Sequence, residues 1–101
     1  MKEKKTIIMI RVKAPTILHP ERIDGIKTAL WKLIGEPFKC EKQIHYAPDE
    51  GSAKTVTFYI FRKGLLKNSV RYRLEKNLEY LKHRWLAMVG YTVMAADTED
   101  D

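Results

Sequence analysis

The chain has 101 residues, 45% of them hydrophobic and 32% charged, and its net charge is +6 at pH 7. This length provides one hydrophobic core and excludes a second lobe or a deep, enclosed cofactor cavity. No stretch approaches the ~18 apolar residues of a membrane-spanning helix, and no apolar signal core follows the charged start. Cys40 is the single cysteine, and a free thiol is typical of proteins in a reducing compartment. We therefore expect one domain in the cytoplasm.

The charge is distributed unevenly along the sequence. The last five residues, 97–101, include four acids and no base. Without them the chain has 19 basic and 9 acidic residues, a net charge of +10. A body of this charge attracts polyanions or an acidic protein surface. We expect residues 1–96 to form the domain and residues 97–101 to be a disordered acidic tail.

The first half of the chain has the patterns of a strand, a helix and a second strand. Alternation around β-branched residues predicts strand one over residues 5–12. Apolar residues at helical spacing predict a helix over 21–34, with Pro20 in its first turn and Gly35 as its C-terminal cap. The apolar set of this helix includes Leu33. Residues 38–46 alternate again and predict strand two, and residues 47–52 are typical of a turn.

The second half has the patterns of a strand, a helix and a final strand. Strand three is predicted at 55–62, and a helix follows at 66–82, capped by Asn68 or Ser69. Residues 85–95 predict a last strand that is apolar on both faces. The order β-α-β-β-α-β indicates an α+β, ferredoxin-like sandwich, a four-stranded antiparallel sheet with two helices on one face. In this fold the last strand lies at a sheet edge, where a second copy or a partner would cover it.

The residues that carry chemistry in other proteins are isolated here. His19, His45 and His83 lack the paired spacing of metal ligands. Cys40 falls on the predicted core side, where a thiol is inert. There is no Gly-x-Ser-x-Gly motif and no glycine-rich phosphate loop. We therefore predict no catalytic, cofactor or metal site and expect the protein to act by binding.

The face of the sheet away from the helices is the first candidate surface. Alternation places Ile8, Ile10 and Val12 in the core, and the more aliphatic set of strand three joins them. Aromatic and basic side chains then share the open face, where they can stack bases and neutralise phosphates. Packing against another copy of the protein is the alternative. The predicted open face comprises Met9, Arg11, Lys13, Gln43, His45, Tyr59, Phe61 and Lys63.

This layout resembles an RNA-recognition motif. The segment 54–61 shares a leading lysine and aromatic residues at its fifth and last places with the strand-three signature of that family. It lacks the two glycines of the signature, and Met9 stands where strand one of the family has an aromatic residue. If segment 54–61 is aligned with the signature, Val56 and Phe58 lie on the open face of the sheet. The alternation of aliphatic residues along the strand instead predicts that both are buried. The resemblance implies RNA binding through the sheet.

The second predicted helix is the other candidate surface. Segment 62–84 has eight basic residues against Glu75 and Glu79. With its leucines facing inward, Tyr72, Lys76 and Tyr80 form a row on the opposite side. Tyrosines with basic neighbours are enriched at interfaces, although a solvated helix would have the same pattern. The candidate binding residues of this segment are Lys67, Arg71, Tyr72, Lys76 and Tyr80, which join Arg11, Lys13, Tyr59, Phe61 and Lys63 of the sheet.

Three functions fit these surfaces. The leading prediction is a non-enzymatic basic module that binds nucleic acid, RNA or DNA, or a nucleoprotein complex. The second is an inhibitor or adaptor that binds a protein target, analogous in size to small phage or mobile-element proteins that block a host defence complex such as a CRISPR effector. The third is a structural or regulatory homodimer joined through strand 85–95 or the open sheet face.

Overall fold

The structure is a computed structural model that describes residues 3–97. The elements are β1 (Lys4–Lys13), α1 (Pro20–Leu30), a π-helical turn (Trp31–Gly35), β2 (His45–Asp49), β3 (Ser52–Lys63), α2 (Asn68–Arg84) and β4 (Met88–Asp97). The sheet is antiparallel with strand order β2-β3-β1-β4, which confirms the ferredoxin-like α+β sandwich and the position of the last strand at an edge.

The core lies between the sheet and the helices, and the strand residues that alternation predicted to face the core are the buried ones. Ile8, Ile10 and Ile60 are fully buried, and Leu74 and Leu78 of α2 cover them from the helix side. Phe58 is 0% exposed and Val56 only 2%. The strand-three register of an RNA-recognition motif is therefore wrong for this chain, because it would turn these two side chains to the open face.

The first helix ends differently from the prediction. Its last turn is π-helical, with Glu36 N donating to Trp31 O at 2.7 Å. Gly35 lies inside this turn, and a Cβ there would overlap the Trp31 ring, so glycine is needed for close packing rather than as a left-handed cap. The wider turn also leaves Leu33 50% exposed, and its predicted place on the buried stripe is wrong.

The strand predicted at 38–46 is wrong over residues 38–44, since only residues 45 and 46 of it belong to a strand. Phe38, Cys40 and Ile44 are buried as predicted, but Lys39 has φ 55° and Cys40 N donates to Gly35 O at 2.8 Å, so the chain is turning there. β2 occupies His45–Asp49, so it begins in the last two residues of the predicted strand and continues into the segment predicted as a turn. Pro48 is tolerated because β2 pairs only with β3 and lies at the edge.

The last helix and strand are shifted toward the C-terminus. The N-cap of α2 is Lys67, which makes no side-chain capping bond, so the predicted caps at Asn68 or Ser69 are wrong. β4 begins at Met88 because Trp85 N still bonds to Leu81 O. Asp97, the first residue of the predicted tail, ends β4 and pairs with Lys4; residues 98–101 lie outside the described residues. Within the described range, neither helix has the length and hydropathy to span a membrane.

Candidate nucleic-acid interface

The fold separates the predicted binding residues into two groups on opposite sides of the molecule. The side chains from the strands point away from the core, while α2 covers the other face of the sheet. The open-face group is Arg11, Lys13, Tyr59, Phe61 and Lys63, and the α2 group is Lys67, Arg71, Tyr72, Lys76 and Tyr80. Since the sheet lies between the two groups, each must be assessed as a separate surface.

Tyr59 lies at the centre of the open face. The strand register places it between Met9 of β1 and His45 of β2. A shallow concavity of about 430 Å³ borders the ring on the β1–β4 side. Its lining residues are Met9, Arg11, Thr57, Tyr59, Val89, Gly90, Tyr91 and Thr92. The predicted open-face position of His45 is confirmed, whereas Gln43 precedes β2 and is not on the sheet.

The positive charge of Arg11 is balanced on this face. Its guanidinium contacts the Asp49 carboxylate at 3.0 Å, at the end of β2. The backbone N–H of Gly51 and then the Arg11 guanidinium hold the pKa of Asp49 below its ordinary value. Sequence reasoning missed this partner because it placed Asp49 in a turn. Arg11 is therefore a poorer phosphate ligand than its sequence position indicates.

Phe61 is not a free stacking platform either. The Lys5 ammonium lies 4.9 Å from the ring centroid. The His45 ring meets Phe61 edge-on, with centroids 5.4 Å apart. Both partners would have to move before a base could stack on the ring. Lys5 also lies directly across from Lys63 in the β1–β3 register, so one end of the open face is strongly cationic.

The row predicted on α2 is present, and it is longer than expected. Tyr72 and Tyr80 are 59% and 61% exposed. The Lys76 ammonium lies 4.8 Å from the centroid of the Tyr72 ring, and the Arg84 guanidinium 5.1 Å from that of Tyr80. Arg84 Nε also donates to the Tyr80 hydroxyl at 2.9 Å. Sequence reasoning missed Arg84, although it stands four residues after Tyr80, the same spacing that links Tyr72 to Lys76. We call Tyr72, Lys76, Tyr80 and Arg84 the α2 row.

Each cation of the α2 row lies over the ring of a tyrosine four residues before it in the helix. Hydrogen bonding to Tyr72 raises the pKa of Lys76 above its ordinary value. Neither Lys76 nor Arg84 has a carboxylate partner among residues 3–97. At a helical rise of 1.5 Å per residue, the two tyrosines stand about 12 Å apart along α2. The result is two exposed aromatic–cation pairs that repeat along one helix face.

The two acids of α2 point to a different side, toward β4. Glu75 accepts from Arg71 at 3.3 Å, and Glu79 accepts from the Tyr91 hydroxyl at 2.7 Å. The bond to Glu79 raises the pKa of Tyr91 to about 12. Arg71 also donates to the carbonyl of Val93 on β4, so this predicted binding residue is held in intramolecular contacts. The α2 row keeps its positive charge because its nearest acids are engaged elsewhere.

Lys67 lies at the start of α2, one turn before the row, and Lys13 lies at the end of β1. The side chains of both residues are exposed. Neither forms an ion pair within the described part of the chain. They can add positive potential to their respective surfaces, but no aromatic ring of residues 3–97 pairs with either of them.

Cys40 is buried as predicted. Burial raises the pKa of its thiol to about 11, so the nucleophilic thiolate is scarce at neutral pH. Among residues 3–97, no three His, Cys, Asp or Glu side chains come together as a metal site would require. The α2 row thus presents exposed rings and cations, while the open face presents half-buried rings with cations beside them.

Comparison with known proteins supports the fold. Neither any family model nor any curated protein sequence matches this chain. Among solved structures, the crystal structure of the Arabidopsis thaliana protein At3g17210 is similar, with a TM-score of 0.53. The match covers 96% of this chain and 97% of the plant protein at 10% sequence identity. At that identity the likeness is one of fold alone.

Proposed function

We propose that this protein is a non-enzymatic module that binds nucleic acid through the α2 row. The observation that carries the proposal is the pairing of Tyr72 with Lys76 and of Tyr80 with Arg84 on an exposed helix face, where neither cation has a carboxylate partner among residues 3–97. Exposed rings offer stacking surfaces to unpaired bases, and the adjacent cations neutralise phosphates. A nucleoprotein complex presents the same chemistry and is included in the proposal.

The α2 row is a better candidate than the open sheet face. On the sheet, Arg11 is neutralised by Asp49 and the Phe61 ring is covered by Lys5 and His45. On α2 a cation also lies over each ring, but these rings are about 60% exposed, whereas Phe61 is half-buried and has the His45 ring at its edge as well. The cations of the α2 row also lack acidic partners within residues 3–97. A cytoplasmic location is part of the proposal, since Cys40 is a free thiol, which suits a reducing compartment.

The test is fluorescence anisotropy with labelled single-stranded RNA, single-stranded DNA and duplex DNA over a range of salt concentrations. We expect tighter binding to single strands, because only unpaired bases can stack on the tyrosines. We also expect the logarithm of the affinity to fall linearly with the logarithm of the salt concentration, as counterion release requires. The absence of binding at low salt, or affinity that does not change with salt, would reject the proposal.

A protein target is the second candidate, because the α2 row borders an exposed apolar residue. Leu33 is 50% exposed and shares a surface cleft with Tyr80 and Arg84. Tyrosine, arginine and a neighbouring apolar contact are common at the centres of protein interfaces. An inhibitor or adaptor would use this surface on a protein. Affinity capture with and without nuclease treatment separates the candidates, since a protein partner survives the nuclease.

A homodimer through β4 is supported by the geometry of the sheet edge. Lys13 N donates to Ala87 O, and the alternation of the ladder then directs the N–H and C=O groups of Val93 and Ala95 away from β1. The strand has no charged residue between Met88 and Ala96 to discourage pairing. Arg71 covers one of these carbonyls, that of Val93, and would have to move. Sedimentation analysis of the purified protein tests this pairing and pairing through the open face.

A further inference from the structure

The groove between α1 and α2 has the features of a ligand site, and it lies apart from the rings of the open face. One half of the groove encloses about 450 Å³ and the other about 400 Å³, and the halves share Leu33 and Leu81. Such volumes fall in the range of small-molecule sites, which are mostly apolar with a few polar groups. The first half is lined by Arg22, Gly25, Ile26, Ala29, Leu30, Leu33, Leu81 and Trp85.

Arg22 is the single charged residue lining the first half, where the other residues are apolar. The described residues provide its guanidinium with neither a hydrogen bond nor an ion pair. No carboxylate lines either half of the groove within residues 3–97. At the far end, Arg84 is already bonded to the Tyr80 hydroxyl. Arg22 lies at the other end of the groove. Its guanidinium N–H groups are therefore free to donate hydrogen bonds to an anionic group there.

Gly25 keeps the first half of the groove open. A Cβ placed on this residue meets nothing within 4 Å, so the space beside it is vacant. The helix itself does not require glycine there, because α1 is regular at this point and glycine lowers helix stability by about 1 kcal/mol relative to alanine. Gly25 therefore lowers the stability of α1, and a larger side chain at this position would fill part of the groove.

From the apolar lining and the unpaired Arg22, we infer that this groove binds a single-chain amphiphile with an anionic head, of the class of medium-chain carboxylates. The chain lies along Ile26, Leu33 and Leu81, and the carboxylate meets Arg22. The inference does not rest on nucleic-acid binding, because it uses Arg22 and the apolar lining rather than the tyrosines of the α2 row.

The experiment is isothermal titration calorimetry with decanoate, decyltrimethylammonium and decyl maltoside, each below its micelle-forming concentration. We expect decanoate to bind at one site per chain and the cationic and neutral probes to bind at least about tenfold more weakly, since one charge-assisted hydrogen bond is worth roughly that factor. Arg22→Gln should weaken decanoate about tenfold and remove the preference among head groups.

Two further variants keep the result interpretable. Gly25→Leu should abolish binding by filling the groove, while circular dichroism confirms that the variant folds. Thr28→Leu adds the same side chain to the same helix but lines a different depression, and should bind decanoate like the wild type. Undetectable decanoate binding, equal affinity for the three probes, or unchanged binding in Gly25→Leu would overturn the inference. A dimer that Gly25→Leu dissociates would assign the groove to a second copy, which would also overturn it.

Discussion

The two components of the α2 row can be separated by replacing its cations in one variant and its rings in another. The first variant is Lys76→Gln with Arg84→Gln, which removes two charges and keeps unbranched polar side chains at both positions. The second is Tyr72→Ala with Tyr80→Ala, which removes two rings and keeps the charges. Because all four side chains are exposed, we expect both proteins to fold as the wild type does.

The two variants should fail in different ways. Each phosphate contact to a single strand contributes about 0.7 to the slope of log affinity against log salt, so loss of Lys76 and Arg84 should reduce the slope by about 1.4. At about 0.1 M salt this corresponds to a roughly 25-fold loss of affinity. Loss of the rings should cost about 1–3 kcal/mol per stacked base and leave the slope nearly unchanged.

Fluorescence anisotropy over a salt series measures both quantities for each variant. The matched control is Arg11→Gln with Lys63→Gln, which removes two cations from the open sheet face and should leave slope and affinity unchanged. If that control loses as much slope as the α2 variant, the open face is the binding surface and the reasoning is wrong. If the variant without the two rings loses as much slope as the variant without the two cations, the salt dependence does not come from Lys76 and Arg84 alone, and the assignment is wrong.

Three other predictions concern packing and ionisation. Gly35→Ala should destabilise the protein by about 1–3 kcal/mol, because its Cβ overlaps a tryptophan ring. Gly25→Ala should instead stabilise it by up to about 1 kcal/mol, since alanine favours the helix. The free energies of unfolding of both variants, measured with denaturant, should therefore change in opposite directions. The pKa of Asp49 should lie below 3.8, so its stabilising contribution is present above pH 3.8 and is lost as pH falls through the lower folded value. Arg11→Gln should raise that pKa only in part, because the Gly51 N–H remains; a carboxyl NMR titration that reaches 3.8 would contradict this. Tyr91, with its pKa raised to about 12, should contribute stability that is present below pH 10.0 and is lost as pH rises through about 12. Glu79→Gln should lower this pKa toward 10.0, as measured by tyrosinate absorbance, and an unchanged titration would count against the hydrogen bond.

The fold was predictable because burial along regular elements is periodic. Alternation placed Ile8 and Phe58 in the core, and helical spacing placed Leu74 and Leu78 there. Residues 38–44 alternate like a strand without being one, because Phe38, Cys40 and Ile44 are buried in an irregular turn after α1. Alternate burial over a few residues does not distinguish a strand from a turn that passes over the core.

The candidate site was predictable only in part. The row on α2 follows from helical spacing, so Tyr72, Lys76 and Tyr80 could be named from the sequence, whereas Arg84 was missed although it has the same spacing. The partners of Arg11 and Phe61 could not, because Asp49 and Lys5 reach them from other strands through the register of the sheet. Arg71 was a candidate ligand by sequence, and the position of α2 over β4 shows that it bonds to Glu75 and Val93 instead.

By itself, the sequence determined the order of the elements, the phase of the core and the excess of positive charge, since each of these depends on residues close together in the chain. Only the tertiary structure decided which cations remain unpaired, which rings remain uncovered and where α1 and α2 leave a groove. The reason is physical: a side chain is neutralised, covered or exposed by neighbours that are distant in sequence, and their positions depend on strand register and helix packing.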